Sequence, residues 1–188
     1  MSPKLPVAAT AALAFAGVLL CAPASAQSQV DVLKVRAKGD IRSTDPGMNR
    51  DSPTDAVMSH LVEGLVAYRG DATVVPMLAE SIQVSPDGRV YTFRLRKGVR
   101  FHNGAPLTAD DVLYSWRRYM QPANNWRCLP EFDGRGASKV MKLQAKDAHT
   151  VVFTLEQPTT LFLATLARTD CGMAAVYHRD SIDAAGKW

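Results

Sequence analysis

The sequence predicts an α+β fold in which a small antiparallel sheet, made of two hairpins, is covered by two helices. Residues 90–95 alternate apolar and polar side chains after a turn signal at Ser85–Gly88, as in a half-buried hairpin strand. Residues 140–155 repeat this pattern, and their end Val152–Leu155 resembles Thr92–Leu95. Two apolar stripes at helical spacing follow capping-box sequences and supply the helices.

Residues 1–26 are predicted to be a signal peptide. They carry one early charge, Lys4, then an apolar run to about Cys21, and they end in Ala24-Ser25-Ala26, the small-residue pattern that signal peptidase cuts. The run is short for a membrane span. A retained anchor and a lipoprotein signal at Cys21 are alternatives, and the bulky Leu20 disfavours the second. We expect cleavage after Ala26 and a soluble, periplasmic product.

The mature part is predicted to begin with a strand and a helix. Val30–Lys38 alternates apolar and polar residues, which is typical of a strand. Ser52 is expected to cap the helix, with Pro53 in the first turn and Asp55 completing a capping box. The apolar stripe of this helix is expected to continue from Val57 to Val66.

The first predicted hairpin joins residues 79–84 to residues 90–95. Pro86 fixes φ and Gly88 accepts a positive φ, so Ser85–Gly88 favours a tight turn. The alternation places one set of side chains in the core and the other in solvent. The core set is Tyr91, Phe93 and Leu95, and the solvent set is Thr92, Arg94 and Arg96.

The second predicted helix starts at a capping box, Thr108–Asp111. Trp116 shares the apolar stripe of this helix, which favours a core position over a role in stacking on a ligand. Pro122 ends the helix, and Pro122–Ser138 is expected to be a loop of unusual length.

Three shorter elements are predicted beyond the second hairpin. Thr159–Ala167 reads as a short buried helix, Gly172–Tyr177 as a strand, and Ser181–Gly186 as the start of a helix.

Charge and motifs exclude several functional classes. The formal net charge is +4, which is mild, and the basic residues are scattered apart from Arg94–Lys97 and Arg117-Arg118. Without a recognisable binding motif this does not indicate a nucleic-acid partner. The four histidines lack metal-ligand spacing, and there is no phosphate loop or nucleophile elbow. We therefore expect no catalytic residue, no metal and no cofactor.

Cys128 and Cys171 are the cysteines that remain after signal-peptide removal. An even count in an exported protein is compatible with a disulfide. Two unpaired, partly buried thiols are the alternative, because the sequence does not reveal the geometry.

The stretch from Ala79 to Val112 resembles a known family signature. It contains Ala79-Glu80-Ser81, a strand, an Asp-Gly turn, the strand end Tyr91–Gly98, and then Val99–Val112, VRFHNGAPLTADDV. This order is similar to the signature of family 5 extracellular solute-binding proteins, the peptide, nickel and opine receptors of ATP-binding-cassette importers. The resemblance extends more loosely over residues 32–188.

The resemblance implies an incomplete receptor. Members of the family are longer and have two lobes of the type II periplasmic binding protein fold around a ligand cleft. Residues 27–188 would be the N-terminal part of lobe I, with a hairpin-and-helix subdomain over about residues 50–160. Such a receptor would bind an oligopeptide or another small solute, deliver it to an inner-membrane permease, and act as a monomer.

The resemblance also implies which loops border the ligand. These are the loop after the first strand, the loop after the second helix, and the start of the segment that re-enters the lobe. Carried over by position, the candidate ligand contacts are Ser43, Thr44, Trp126, Arg168, Thr169 and Asp170. An arginine can hold a carboxylate bidentately, and an aromatic ring can cover an apolar side chain.

Two other functions remain open from the sequence. An exported hydrolase could use Cys128 or Cys171 with a histidine, and its thiol would then have a lowered pKa. A non-functional remnant of a receptor would have no ligand affinity. The sequence does not distinguish a peptide from a metal chelate, an opine or a sugar as the solute.

Overall fold

The computed structural model describes residues 34–36, 38–48, 51–184 and 188. In chain order the helices and strands are α1 Ser52–Met58, β1 Val66–Tyr68, β2 Val74–Pro76, β3 Ala79–Val84, β4 Val90–Leu95, α2 Ala109–Tyr119, α3 Leu129–Phe132, β5 Val140–Asp147, β6 Thr150–Leu155 and α4 Phe162–Leu166. Short 3₁₀ turns lie at Pro122–Asn124, Thr169–Ala174 and Arg179–Ser181. No helix in these described ranges is long and apolar enough to cross a membrane.

The two predicted hairpins form one antiparallel sheet with the strand order β3-β4-β6-β5. Phe93 of β4 is opposite Ile82 on one side and Val151 on the other, so one row of apolar side chains crosses the sheet. Phe93 and Val151 have no exposed surface. The alternation read from the sequence is therefore confirmed, as is the α+β fold class.

The core of the protein is an aromatic cluster between this sheet and the segments that follow α2. The ring of Trp116 lies 5.1 Å from that of Phe153 on β6, and Phe153 lies 5.4 Å from Phe162 on α4. Trp126 stacks on Phe132 with 5.4 Å between ring centroids. These offset and edge contacts add to the burial of the rings. Trp116 is 8% exposed, which confirms its predicted core position.

Helix α2 begins as predicted. Thr108 is the N-cap, and the Asp111 carboxylate accepts hydrogen bonds from the Thr108 amide and hydroxyl, both at 2.8 Å. The helix packs against β5 and β6, so it covers the sheet. Helix α1 packs elsewhere: Met58 belongs to a small apolar cluster with Val62, Met173 and Ala175. The expectation that both helices cover the sheet is thus correct for α2 only.

The first helix is shorter than predicted, and its cap is a different residue. Asp51, rather than Ser52, accepts the hydrogen bond from the Thr54 amide at 2.9 Å. The helix ends at Met58, and Leu61 is 48% exposed. Residues 64–65 instead bond to the chain before β3, with the Met77 amide donating to the Leu65 carbonyl at 3.0 Å. This long-range pairing overrides the helical spacing of the apolar residues.

Gly64 explains why the chain turns away at this point. A β-carbon at Gly64 would lie 2.0 Å from the carbonyl oxygen of Met173. The two backbones touch, and the neighbouring amide of Val176 donates to the carbonyl of Glu63 at 3.0 Å. A side chain at position 64 would separate these segments.

Three other predicted elements differ from the structure. The loop Pro122–Ser138 contains the 3₁₀ turn Pro122–Asn124 and α3, so it is not structureless. Gly172–Tyr177 is not a strand, because the consecutive residues Gly172, Met173 and Ala174 have positive φ values of 63°, 55° and 44°. Ser181 ends a 3₁₀ turn rather than beginning a helix.

The predicted strand Val30–Lys38 lies mostly outside the described residues. Lys34 to Arg36 and Lys38 are described and are not in a strand. The predicted signal peptide, residues 1–26, lies entirely outside the described residues.

Candidate functional site

The three loops named as candidate ligand contacts lie together in the structure. We call residues 43–48, 126–128 and 168–173 the loop cluster. The Arg127 amide donates to the Gly47 carbonyl at 3.0 Å, and the Trp126 indole N–H donates to the Cys171 carbonyl at 3.0 Å. Cys128 and Cys171 form a disulfide with 5.5 Å between their α-carbons. Each loop is therefore joined to another by at least one direct bond.

Close backbone contact requires glycine in the first of these loops. Gly47 has φ of +72°, and a β-carbon there would lie 2.4 Å from the Cys171 carbonyl oxygen. Only glycine adopts this φ without a steric penalty, and only glycine lets the two backbones approach this closely. The turn Asp45-Pro46-Gly47 thus fits against Cys171.

Asp45 fixes the first loop from the other side. Its carboxylate is paired with the guanidinium of Arg118 on α2, one bond being Nη1 to Oδ1 at 3.0 Å, and it accepts the Tyr177 hydroxyl at 3.2 Å. Burial raises the pKa of Tyr177 well above its ordinary value, so this phenol stays neutral and donates. Tyr119 next to it is fully buried, and burial likewise raises its pKa. Its hydroxyl donates to the Ala175 carbonyl at 2.9 Å.

Charged side chains form a rim around the disulfide. Arg168 donates Nε and Nη2 to the two carboxylate oxygens of Asp170 at 3.0 and 2.9 Å, and Nη1 to Glu131 at 3.2 Å. Arg127 donates Nη1 to Asp55 at 3.0 Å and lies 3.9 Å from Asp170. The rim thus has three carboxylates and two guanidinium groups.

The pKa values of the rim carboxyls shift in opposite directions. The hydrogen bonds from Arg168 hold the pKa of Asp170 below its ordinary value. Asp55 is only 18% exposed, and its desolvation raises its pKa despite the bond from Arg127. Asp170 is the more accessible carboxylate, with 43% of its side chain exposed.

The six candidate contact residues have different surroundings. Thr44 and Thr169 are exposed, and Ser43 accepts the Asp45 amide through its hydroxyl oxygen at 3.0 Å. Arg168 and Asp170 are half-buried and paired with each other. An incoming carboxylate would have to share Arg168 with Asp170 and Glu131.

Trp126 differs from its predicted role. It is 2% exposed, its indole N–H is already bonded to Cys171, and its ring packs against Tyr119 at 4.5 Å. In this conformation its side chain joins the second loop to the third, and no face of its ring is open to a solute.

Sequence reasoning missed four residues of the site: Asp45, Asp55, Arg127 and Glu131. Asp45 was within reach, because it precedes Pro46-Gly47 in a loop named from the resemblance. Arg127 adjoins Trp126, but its partner Asp55 is 72 residues away along the chain. No local pattern reveals such a pairing.

A separate groove of about 750 Å³ is lined by residues 59–63, 99–103, 176–178 and 180–181, among others. Its walls mix apolar residues such as Met77 and Phe101 with His60, His102 and His178. His178 is in hydrogen-bond contact with Asn103 at 3.2 Å.

Within the described residues, one group has the spacing of a metal site: Cys128, Asp170 and Cys171, whose possible ligand atoms lie within 4.8 Å of one another. Two of the three are joined in the disulfide. A metal ligand must be a thiolate rather than a disulfide sulfur, so this group does not offer a metal site in the oxidised chain.

The chain is similar to known solute-binding proteins. The profile of bacterial extracellular solute-binding proteins, family 5, matches residues 73–186. The chain belongs to this family. A curated relative, di/tripeptide-binding protein 2 of Pseudomonas aeruginosa, is 35% identical over 94% of this chain and 36% of its own length. The chain therefore spans about a third of the length of that relative.

Solved structures of periplasmic binding proteins have the same fold over this region. The periplasmic binding protein DppA of Helicobacter pylori, in complex with the peptide STSA, matches with a TM-score of 0.64 and 30% identity over 76% of this chain and 30% of that protein. AgaA of A. tumefaciens, in complex with agropinic acid, matches with a TM-score of 0.65 and 28% identity over 76% of this chain and 27% of that protein. The fold of this chain is thus part of a type II periplasmic binding protein.

Proposed function

We propose that the chain is part of a periplasmic receptor that binds a peptide-like solute and delivers it to an inner-membrane importer. The observation that carries this proposal is the convergence of three loops, distant in sequence, in a chain that belongs to the family 5 solute-binding proteins. Several relatives are di/tripeptide-binding or dipeptide-binding proteins, which favours a short peptide. AgaA, which was solved with agropinic acid, makes an opine the second candidate.

The charges of the rim suit a zwitterionic solute. The ammonium group of a peptide would be attracted to half-buried Asp170, and a carboxylate to Arg168, where bidentate hydrogen bonds can form. Because the charged side chains of the rim already pair with one another, a bound solute would replace some of these ion pairs with its own. No charged group would be left without a partner. Such exchange favours specificity over affinity.

The loop cluster supplies one wall of such a site. Residues 27–188 correspond to the N-terminal part of lobe I, and affinity in a two-lobed receptor comes from closure of both walls with exclusion of water. Such a receptor would act as a monomer, with the importer permease as its partner. Nucleic acid is not a partner in this proposal.

The rival function, a thiol-dependent hydrolase, has little support. Both candidate nucleophiles, Cys128 and Cys171, are in the disulfide and are 1% and 0% exposed. A disulfide sulfur is not a thiolate nucleophile. The relatives of this chain in Pseudomonas aeruginosa and Escherichia coli are binding proteins.

The test is a titration of the isotope-labelled mature chain with di- and tripeptides, followed by NMR. We expect a weak Kd of ~1 mM or more, about −4 kcal/mol, because one wall is present. Shift changes should map to the loop cluster and vanish in Arg168→Ala. Arg135→Ala is the matched control, because Arg135 also pairs with an acid two residues away but its side chain is 64% exposed.

One result would contradict the proposed site, and another would contradict the two-wall argument. Shift changes confined to residues outside the loop cluster would place the site elsewhere. Micromolar affinity that Arg168→Ala abolishes would show that one wall suffices and would overturn the two-wall argument.

Export is tested separately. N-terminal sequencing of the periplasmic product should begin at Gln27, because the small-residue pattern ends at Ala26. A product that retains Met1 in the membrane fraction would refute the predicted signal peptide.

A further inference from the structure

We propose that the Cys128–Cys171 disulfide is a redox-responsive latch that holds the loop cluster in its present arrangement. Opening it by exchange with an external dithiol would transfer two electrons and two protons to the protein. The product would be two cysteine thiols and the oxidised, cyclic form of the dithiol. The sheet would remain folded, and the loops would separate.

The position of the bond supports this role. The disulfide is the covalent link between the second and third loops, and both of these loops contact the first one at Gly47. Arg127, next to Cys128, donates to the carbonyl of Gly47, while the backbone of Cys171 itself is packed against Gly47. A change in the distance between Cys128 and Cys171 would therefore pull the two supports of Gly47 apart.

The backbone after Cys171 has an unfavourable conformation that it could leave if the disulfide opened. Gly172, Met173 and Ala174 all have positive φ, a left-handed conformation that L-residues other than glycine adopt at a steric cost. Such residues keep this conformation only where the surroundings constrain it. The disulfide constrains the first end of this run, and the Val176 amide bonded to Glu63 constrains the other end. Release of the first end would let Met173 and Ala174 return to ordinary φ values.

Other contacts limit how far the change extends. Asp45 stays paired with Arg118 on α2, and the four-stranded sheet contains neither cysteine. Trp126 of the second loop keeps its ring contacts with Trp116 and Phe132, so this loop stays attached to the aromatic core. Loosening should therefore be local rather than a global loss of stability.

The test is hydrogen exchange of the purified mature chain, followed by mass spectrometry, before and after treatment with dithiothreitol. Peptides that cover residues 43–48 and 168–175 should lose protection by about tenfold or more on reduction, because local opening becomes easier. Peptides from β4 and β6 are the internal control and should keep theirs. If the buried sulfurs resist reduction, the double variant Cys128→Ala/Cys171→Ala provides the same comparison.

Each other outcome overturns the latch. Unchanged exchange in 43–48 and 168–175 would mean that the remaining contacts hold the loops without the bond. Equal increases in the loops and in β4 and β6 would mean that the bond serves global stability. Neither outcome depends on a ligand, so failure of the latch would leave the proposed receptor function standing. An effect of the latch on solute affinity does rest on that proposed function.

Discussion

Replacing Gly47 with alanine should separate the cost of a left-handed backbone from the cost of breaking the loop cluster. Gly47 has φ of +72°, and its added β-carbon would lie 2.4 Å from the Cys171 carbonyl oxygen and 2.9 Å from the Trp126 indole nitrogen. Gly98 has φ of +77°, but nothing lies within 4 Å of a β-carbon built there. Gly98→Ala is therefore the matched control.

The two changes share one cost and differ in another. A left-handed alanine costs about 1–2 kcal/mol at either position. At position 47, overpacking against backbone adds about 1–3 kcal/mol. Loss of the Trp126–Cys171 hydrogen bond adds about 1 kcal/mol. We expect Gly47→Ala to cost roughly 3–6 kcal/mol in the free energy of unfolding, and Gly98→Ala about 1–2 kcal/mol.

Urea unfolding followed by far-ultraviolet circular dichroism measures both values. The m-values of the three proteins should agree, so that the midpoints report stability alone. For a chain of this size each kcal/mol corresponds to about 2–4 °C in Tm. Equal losses for Gly47→Ala and Gly98→Ala would refute the close packing of the first loop against Cys171.

Three further predictions concern the core, the rim and the covalent structure. Phe93→Ala should lower the free energy of unfolding by about 3–5 kcal/mol because the ring is fully buried. Arg94→Ala should lower it little, because Arg94 is exposed. Equal, small losses in urea unfolding would mean that the assignment of the buried strand face is wrong. Arginine pairing lowers the folded-state pKa of Asp170 below 3.8, so its stabilisation is present above that pH and is lost as pH falls through the lowered pKa. Wild type should therefore lose stability more steeply than Asp170→Asn on acid titration below about pH 4, and parallel profiles would argue against the pairing. Mass spectrometry of a non-reduced digest should detect the Cys128 and Cys171 peptides joined by a disulfide. Full alkylation of both thiols without reductant would exclude the bond.

Elements with a strict period and a local boundary signal were predictable from the sequence. The turn at Ser85–Gly88 fixes the register of the first hairpin, and the capping box at Thr108 fixes the start of α2. Both signals act over a few residues, and tertiary contacts reinforce them.

Elements whose shape depends on distant backbone were not predictable. The apolar residues from Val57 to Val66 fit a helix, yet Leu65 hydrogen-bonds to the chain before β3 and ends that pattern. Residues 172–177 have the composition of a strand, but Gly172 to Ala174 turn in a left-handed run beside the disulfide.

The same limit applies to the site. Loop membership could be carried over from the resemblance, but the direction of a side chain could not. Trp126 occupies a predicted loop and nevertheless turns into the core, where Tyr119 and Phe132 pack on it. Position along the chain locates a loop, while the packing of its neighbours decides which side chains a solute can reach.

The contact between Gly64 and Met173 brings together the two ends of the segment formed by residues 64–175. The residues that flank this segment are hydrogen-bonded to each other, because the Val176 amide donates to the Glu63 carbonyl at 3.0 Å. All strand pairings of the described residues lie within this segment. Segments whose ends are close together tolerate insertion into other chains and permutation. A change in chain length outside residues 64–175 would therefore leave the strand pairings of the sheet in place.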